Sequence, residues 1–199
     1  PQNGPNGDCQ EVIAHHMDAY ELAESVDVLN GDYAAAMQDV IARHQQGQPV
    51  FFYTWTPNWT VAKLVPGRDV VWLEVPFGTL PGPGRVEAVK GVAGCVDDPC
   101  LMGFHANDNR VVANMQFMRE NSNVRRLFQG MAIPMEDISA QQARMLDGEN
   151  SDEDIIRHAG EWVQANRALF DGWIQEALEK RSATRPARGN CHPCPGERK

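Results

Sequence analysis

Apolar residues recur at helical spacing along the first part of the chain. Val12, Ile13, Met17, Tyr20, Leu22 and Ala23 share one side of a helix expected from about Cys9 to Val28, with Asp8 placed to cap it. "LNGDY" reads as a turn. Asp32 then opens a second helix, from Tyr33 to about Gln46, with Ala36, Met37, Val40, Ile41 and His44 on its inner side. At "PVFFYTW" (49–55) the pattern changes to an unbroken apolar run of strand length. Such a run predicts a strand buried on both faces, as in a parallel sheet between helices. Thr56 as N-cap and Pro57 at the first helical position begin a further helix. "GRDVVWLEVP" (67–76) repeats the buried-strand pattern. Helix, helix, strand, helix, strand is the rhythm of an α/β fold.

Residues 78–109 are Gly/Pro-rich and carry only short apolar runs. A loop of that length in a compact domain is usually functional or crosses between domains. "VVAN" (111–114) predicts a short strand, and "MQFMRENSNVRRLFQGM" and "PMEDISAQQARMLDG" predict helices. Ser151 with Asp154 starts a long amphipathic stretch in which Ile155, Ala159, Trp162, Leu169, Trp173 and Ala177 share a face. Gly160 and Gly172 are the candidate breaks in it. The expected organisation is an α/β domain over 1–105, a mainly helical part over 106–180 and a disordered tail over 181–199.

Composition narrows the function. The 199 residues carry a formal net charge of −9, and the one short basic stretch follows Lys180, so nucleic acid is not the expected partner. No apolar run reaches the length of a membrane span. The chain opens on "PQNGPNGDCQ", without an initiator Met or signal peptide, and is expected to be a processed form or a fragment. Cys95 and Cys100 bracket "CVDDPC", and a small-loop disulfide there is preferred over free thiols, implying an oxidising compartment. "CHPC" at 191–194 lacks both the helix N-terminus of a redox motif and the four ligands of a zinc site.

Trp55 ends the first apolar run, between Thr54 and Thr56. Ligands of open α/β sheets gather at such strand ends, beside helix N-termini. Two readings stay open on spacing alone: core aromatics, or a binding face. An indole face suits a sugar or a cation, and a quaternary ammonium most specifically. His15 and His16 are adjacent and point to different helix faces, which is not the i,i+4 spacing of a metal pair. Asn107 and Asp108 in "ANDNR" suit an Asx turn. "DGENSDED" lacks the spacing and glycine of a calcium loop and reads as a helix start. Asn58-Trp59-Thr60 fits a glycosylation sequon. No nucleophile, acid–base pair, phosphate loop or zinc signature stands out, so neither catalysis nor a cofactor is expected.

Several motifs in order resemble one family. "AYELAESVDVLNGDYAAAM", "GQPVFFYTWTPNW", "PGRDVVWLEVPF", "GFHANDNRVVAN", "DISAQQARMLDGENSDEDI" and "FDGWIQEAL" are similar to the glycine betaine/proline betaine substrate-binding proteins of ABC transporters. The resemblance runs from about Cys9 to Leu178 and matches the C-terminal part of longer proteins. It implies a type II periplasmic-binding-protein fold, here incomplete: one lobe plus part of the other. In that family tryptophans cage the trimethylammonium group, and one of them corresponds to Trp55. Backbone amides bind the ligand carboxylate in a loop that falls on Asp8 and Cys9. His105, in "GFHAND" near the lobe boundary, is a further candidate to face the cleft, the alternative being a surface histidine, and Trp59 is left as packing. The family's Trp-Gly-Cys run is Gly7-Asp8-Cys9 here, and Asn3 stands near the position of the cysteine that would pair with Cys9. The implied function is extracytoplasmic capture of a betaine-like solute for a membrane permease. The alternative is a truncated α/β fragment that serves as an interaction module.

Overall fold

The computed structural model describes residues 9–82, 86–106 and 108–179. Contacts gather into two units: Pro1–Arg110 with Ala132–Ala165, and Val111–Met131 with Asn166–Lys199.

In the first unit, α1 spans Cys9–Ala19 and buries Val12 and His16, one turn apart. The apolar periodicity predicts a helix to Val28, but the chain leaves it nine residues earlier. Glu21 adopts a left-handed conformation (φ 55°), and the Leu22 amide turns back to the Met17 carbonyl. Tyr20 is thereby released to donate to the Phe77 carbonyl at 2.8 Å. The expected cap Asp8 lies outside the described residues. Helix α2 (Tyr33–Gln45) starts as expected, with Asp32 accepting from the Ala35 amide at 2.8 Å. Helix α3 (Trp59–Lys63) starts later than Thr56 and Pro57 suggest. Its cap is Asn58, whose Oδ1 accepts from both the amide and the hydroxyl of Thr60 at 3.0 Å.

The strands expected at 49–55, 67–76 and 111–114 do not form ladders. Among the described residues pairing is confined to isolated bridges: Pro66–Val70 and Trp72–Cys95, both parallel, and Val89–Cys100, antiparallel. The runs are not buried either, since Phe51 is 71%, Val71 57% and Leu73 62% exposed. An apolar run becomes a doubly buried strand only when other strands satisfy its backbone and layers cover both faces. Here the backbone of 72–75 is met singly, Trp72 donating to the Gly94 carbonyl and Val75 to the Leu101 carbonyl, both at 2.9 Å. The described elements are therefore predominantly helical.

The Gly/Pro-rich stretch is ordered by its own chemistry. Cys95 and Cys100 form the expected disulfide, with Cα atoms 6.0 Å apart. Glu74 accepts from the amides of Asp97 and Leu101 at 3.3 and 3.0 Å, fixing the loop to the 67–76 run.

Helix α6 (Met135–Leu146) packs against α3. Ser139 and Ala143, one turn apart and buried, keep the contact close, and Ser139 Oγ accepts from the Asn58 amide at 3.2 Å. Helix α7 (Asp152–Ala165) opens on the expected Ser151/Asp154 box, each side chain reaching the other's amide. In the second unit, α4 (Met115–Glu120), α5 (Ser122–Gly130) and α8 (Arg167–Leu178) pack together. Two helices thus stand where one was expected at 115–131, because Asn121 leaves helical geometry (φ −119°, ψ 69°) and its side chain caps the Phe117 carbonyl. The long amphipathic stretch breaks at Asn166, between α7 and α8, and not at Gly160 or Gly172.

An ion-pair network ties the end of α6 to α7. Arg157 meets Glu149, Asp154 and Glu161; Arg144 meets Glu149 and Glu161; and the buried His158 donates from Nε2 to Glu149 at 2.8 Å. Arg157 first, then His158 and Arg144, hold the Glu149 carboxyl down at about 2, against an ordinary 4.5. A carboxyl depressed on folding stabilises the fold above its unfolded pKa, and that contribution fades as pH falls from the unfolded value through the folded one. The Glu149→Gln variant should therefore be less stable than wild type at neutral pH, with the gap closing between about pH 4.5 and about pH 2. Denaturant midpoints measured across that range check this, and a pH-independent gap would count against it.

Candidate functional site

Trp55 is 45% exposed and has two tyrosine rings against it. Tyr53, two residues back in the same run, has its ring centroid 5.9 Å away at 36°. Tyr33, the first residue of α2, lies 5.0 Å away at 38°. The Asp32 cap fixes where that first helical turn begins, and so where the Tyr33 ring projects. Tyr33 also meets Trp59 edge-on at 6.2 Å, which is the packing role expected of Trp59.

The Tyr33 hydroxyl ends in a polar knot. It donates to Thr54 Oγ1 at 2.9 Å and lies 3.2 Å from Thr60 Oγ1. Thr54 and Thr60 bond to each other, and the Thr60 hydroxyl donates to Asn58 Oδ1. Thr60 is fully buried and Asn58 nearly so. Buried hydroxyls satisfied in this way hold their geometry, because breaking one bond strands a desolvated partner.

On the other side, Tyr53 leads to α1. Its hydroxyl is 3.3 Å from Cys9 Sγ, across 44 residues of sequence. Burial first, and then the neighbouring Cys9, push the Tyr53 phenol well above its ordinary range, so it stays protonated at any physiological pH. Cys9 is a free thiol. Phe104 packs on Tyr53 at 5.1 Å and meets His16 edge-on at 5.2 Å; His16 stacks on Tyr20 at 5.0 Å. Both adjacent histidines turn to one residue, His15 Nε2 meeting Thr79 Oγ1 at 2.8 Å and His16 Nε2–H donating to the Thr79 carbonyl at 3.0 Å. They brace α1 against the loop.

Of the residues singled out from sequence, Trp55 and Cys9 come together through Tyr53. Asp8 lies outside the described residues, as does Asn107. His105 is exposed, and no hydrogen bond, ion pair or ring contact joins it to Trp55 or Cys9 among the described residues. Its neighbour Phe104 is the residue that reaches the cluster. Sequence reasoning passed over Tyr33 and Phe104. The one available signal for Tyr33 was an aromatic directly after a strong helix cap. The CHPC motif is likewise outside the described residues.

Chemically, the cluster offers a half-exposed indole backed by two phenol rings, beside the start of a helix eleven residues long. π-Faces attract cations without a hydrogen-bond donor, whereas unpaired N–H groups at a helix start attract anions. The combination suits a small zwitterion.

Comparison with known proteins bears on this. The model for the OpuAC family, the substrate binding domain of ABC-type glycine betaine transport systems, matches residues 2–165. The chain is similar to the glycine betaine-binding periplasmic protein OusX of Dickeya dadantii (strain 3937), 44% identical over 173 residues, which cover 87% of this chain and 51% of that protein. It is 41% identical over 174 residues to the glycine betaine/proline betaine-binding periplasmic protein of Escherichia coli (strain K12), with the same coverage of 87% and 51%. The chain thus spans about half the length of the curated relatives it matches.

Proposed function

Because the chain belongs to the family of substrate-binding domains of ABC-type glycine betaine transport systems, we propose that it takes part in binding glycine betaine or a closely related quaternary-amine solute for import. In this reading the Trp55 indole receives the trimethylammonium group. The backbone amides of Asp8 and Cys9 receive the carboxylate, helped at Cys9 by the positive end of the α1 dipole. His105, next in sequence to Phe104, is the fourth member of the proposed set. The protein works outside the cytoplasm and passes its ligand to a membrane permease driven by a separate ATPase. The fold is that of the type II periplasmic binding proteins, to which this chain contributes one lobe and part of the other. The half-length coverage of the relatives supports that assignment. Ligand capture shifts an open–closed equilibrium, because only a closed form surrounds the ligand and adds contacts to those made here.

The observation that carries the reading is the 3.3 Å approach of Cys9 Sγ to the Tyr53 hydroxyl, which makes the cation-favouring face and the anion-favouring helix start neighbours. Among the described residues no helix is long and apolar enough to cross a membrane. The test is calorimetry of this chain with glycine betaine, proline betaine, choline and carnitine. Zwitterionic betaines should bind, and choline, which lacks the carboxylate, should bind more weakly. Absence of binding by all four, or equal binding of choline, would count against the proposal.

A further inference from the structure

We propose that Tyr33 is a positioning residue of this site. Held by its hydroxyl in a knot with Thr54 and Thr60, its ring fixes the orientation in which Trp55 is presented to a cation, and so sets the preference for a ligand that carries a quaternary ammonium over its carbon isostere. The inference deepens the betaine reading and rests on it.

Two features separate this from ordinary packing. An indole that is 45% exposed is not oriented by a surrounding core, so whatever touches it sets its rotamer. Of the two rings that do, Tyr53 belongs to the same extended run, whereas Tyr33 comes from α2 and is anchored independently. The anchor is also unusual in kind. A tyrosine placed only for its apolar ring needs no interior partner, yet the Tyr33 hydroxyl reaches past the ring contact into the knot with Thr54 and the fully buried Thr60. That knot continues to Asn58, the α3 cap, which is itself bonded to Ser139 on α6. Trp55 is thereby referenced to three helices, although its own backbone run belongs to no ladder. Cation–π attraction depends on the cation lying over the ring face, whereas apolar contact is nearly indifferent to ring tilt. A loss of orientation should therefore weaken binding of the cation more than binding of its carbon analogue.

Glycine betaine and 3,3-dimethylbutanoate form such a pair, alike in shape and carboxylate but differing by the ammonium charge. The variants are Tyr33→Phe, which keeps the ring and removes its anchor, and Thr54→Val, which removes the anchor from the other end. Two readouts apply: the ratio of the two dissociation constants by calorimetry, and the ligand-free near-ultraviolet circular dichroism band of Trp55, assigned by difference against Trp55→Phe. Both variants should diminish the band and lower the selectivity ratio by roughly tenfold, with the double variant no worse than either single one. An unchanged band in Tyr33→Phe overturns the inference whatever the ligands do. An unchanged ratio in Tyr33→Phe, beside a clear loss in Trp55→Ala, overturns the inference and leaves the betaine reading standing. A wild-type ratio in Trp55→Ala removes the betaine reading, and the selectivity role of Tyr33 with it.

Discussion

Trp55→Ala should lose about 2 kcal/mol or more of glycine betaine binding, roughly a thirtyfold rise in Kd. The size follows from the kind of contact. A quaternary ammonium offers no hydrogen-bond donor, so neither the threonines beside Trp55 nor any backbone carbonyl can replace the π-face. At an exposed site a cation–π contact is worth about 0.5–1 kcal/mol, but once ligand and closure exclude water it reaches about 2 or more. The carbon analogue, which keeps the carboxylate but lacks the ammonium charge, should lose only the apolar part, about 1 kcal/mol. Trp55→Phe, with a weaker face of similar shape, should fall between wild type and alanine for betaine and near wild type for the analogue. Because the side chain is half exposed, the alanine variant should still fold, and its melting curve provides the control. Equal losses for the two ligands would show that Trp55 contributes area alone, and an unaltered betaine affinity would remove it from the site.

How much of this could be read from the chain differs by element. Helix starts were legible where a polar side chain meets an orphan amide: Asp32 before α2 and Ser151/Asp154 before α7 do what their positions suggest. The Cys95–Cys100 disulfide was legible from a short spacing in a Gly/Pro-rich loop. Helix ends were harder to place. Leu22 and Ala23 continue the apolar stripe of α1, but the chain turns at Glu21, and Tyr20 bonds to the Phe77 carbonyl and stacks on His16. The strands were the main misreading. The run around Phe51 carries the same residues whether or not neighbours pair with it, and burial is a property of those neighbours.

The candidate site divides along the same line. Position at the end of an apolar run left Trp55 undecided between core and ligand; its indole face suited a quaternary ammonium, and the family resemblance chose between the two readings. The resemblance also marks Gly7 as a departure from the family pattern. What no local pattern could supply is the pairing of Trp55 with Tyr33, 22 residues earlier, or of Tyr53 with Cys9, 44 residues away. Those contacts exist because α1 and α2 flank the run, and that placement is tertiary.

The largest stability loss is expected at a position that touches no ligand. Gly94 has φ +80°, and a Cβ built on it would lie 2.4 Å from the Gly67 nitrogen and 2.5 Å from the Pro66 carbonyl carbon. Both obstacles are backbone, so no side-chain rotation relieves the clash. The left-handed conformation alone costs about 1 kcal/mol or more for alanine. Displacing Gly67 also strains its hydrogen bond to the Val70 carbonyl, and moving Gly94 pulls its own carbonyl from Trp72. Gly94→Ala should therefore cost more than about 4 kcal/mol, a large share of the roughly 5–15 kcal/mol by which domains are typically stable. Gly91 is the natural control. It has φ +70°, and a Cβ added there would meet nothing within 4 Å, so Gly91→Ala should cost only the conformational part, about 1 kcal/mol. Urea denaturation of the two variants measures the difference, and equal losses would mean that the chain does not pass Gly67 so closely. The loss should also reach the site. Gly94 leads into the disulfide loop, and Leu101, just past that loop, accepts from Val75; three residues further on, Phe104 packs against Tyr53. In any Gly94→Ala protein that still folds, glycine betaine affinity should fall although Trp55 and Cys9 are unchanged.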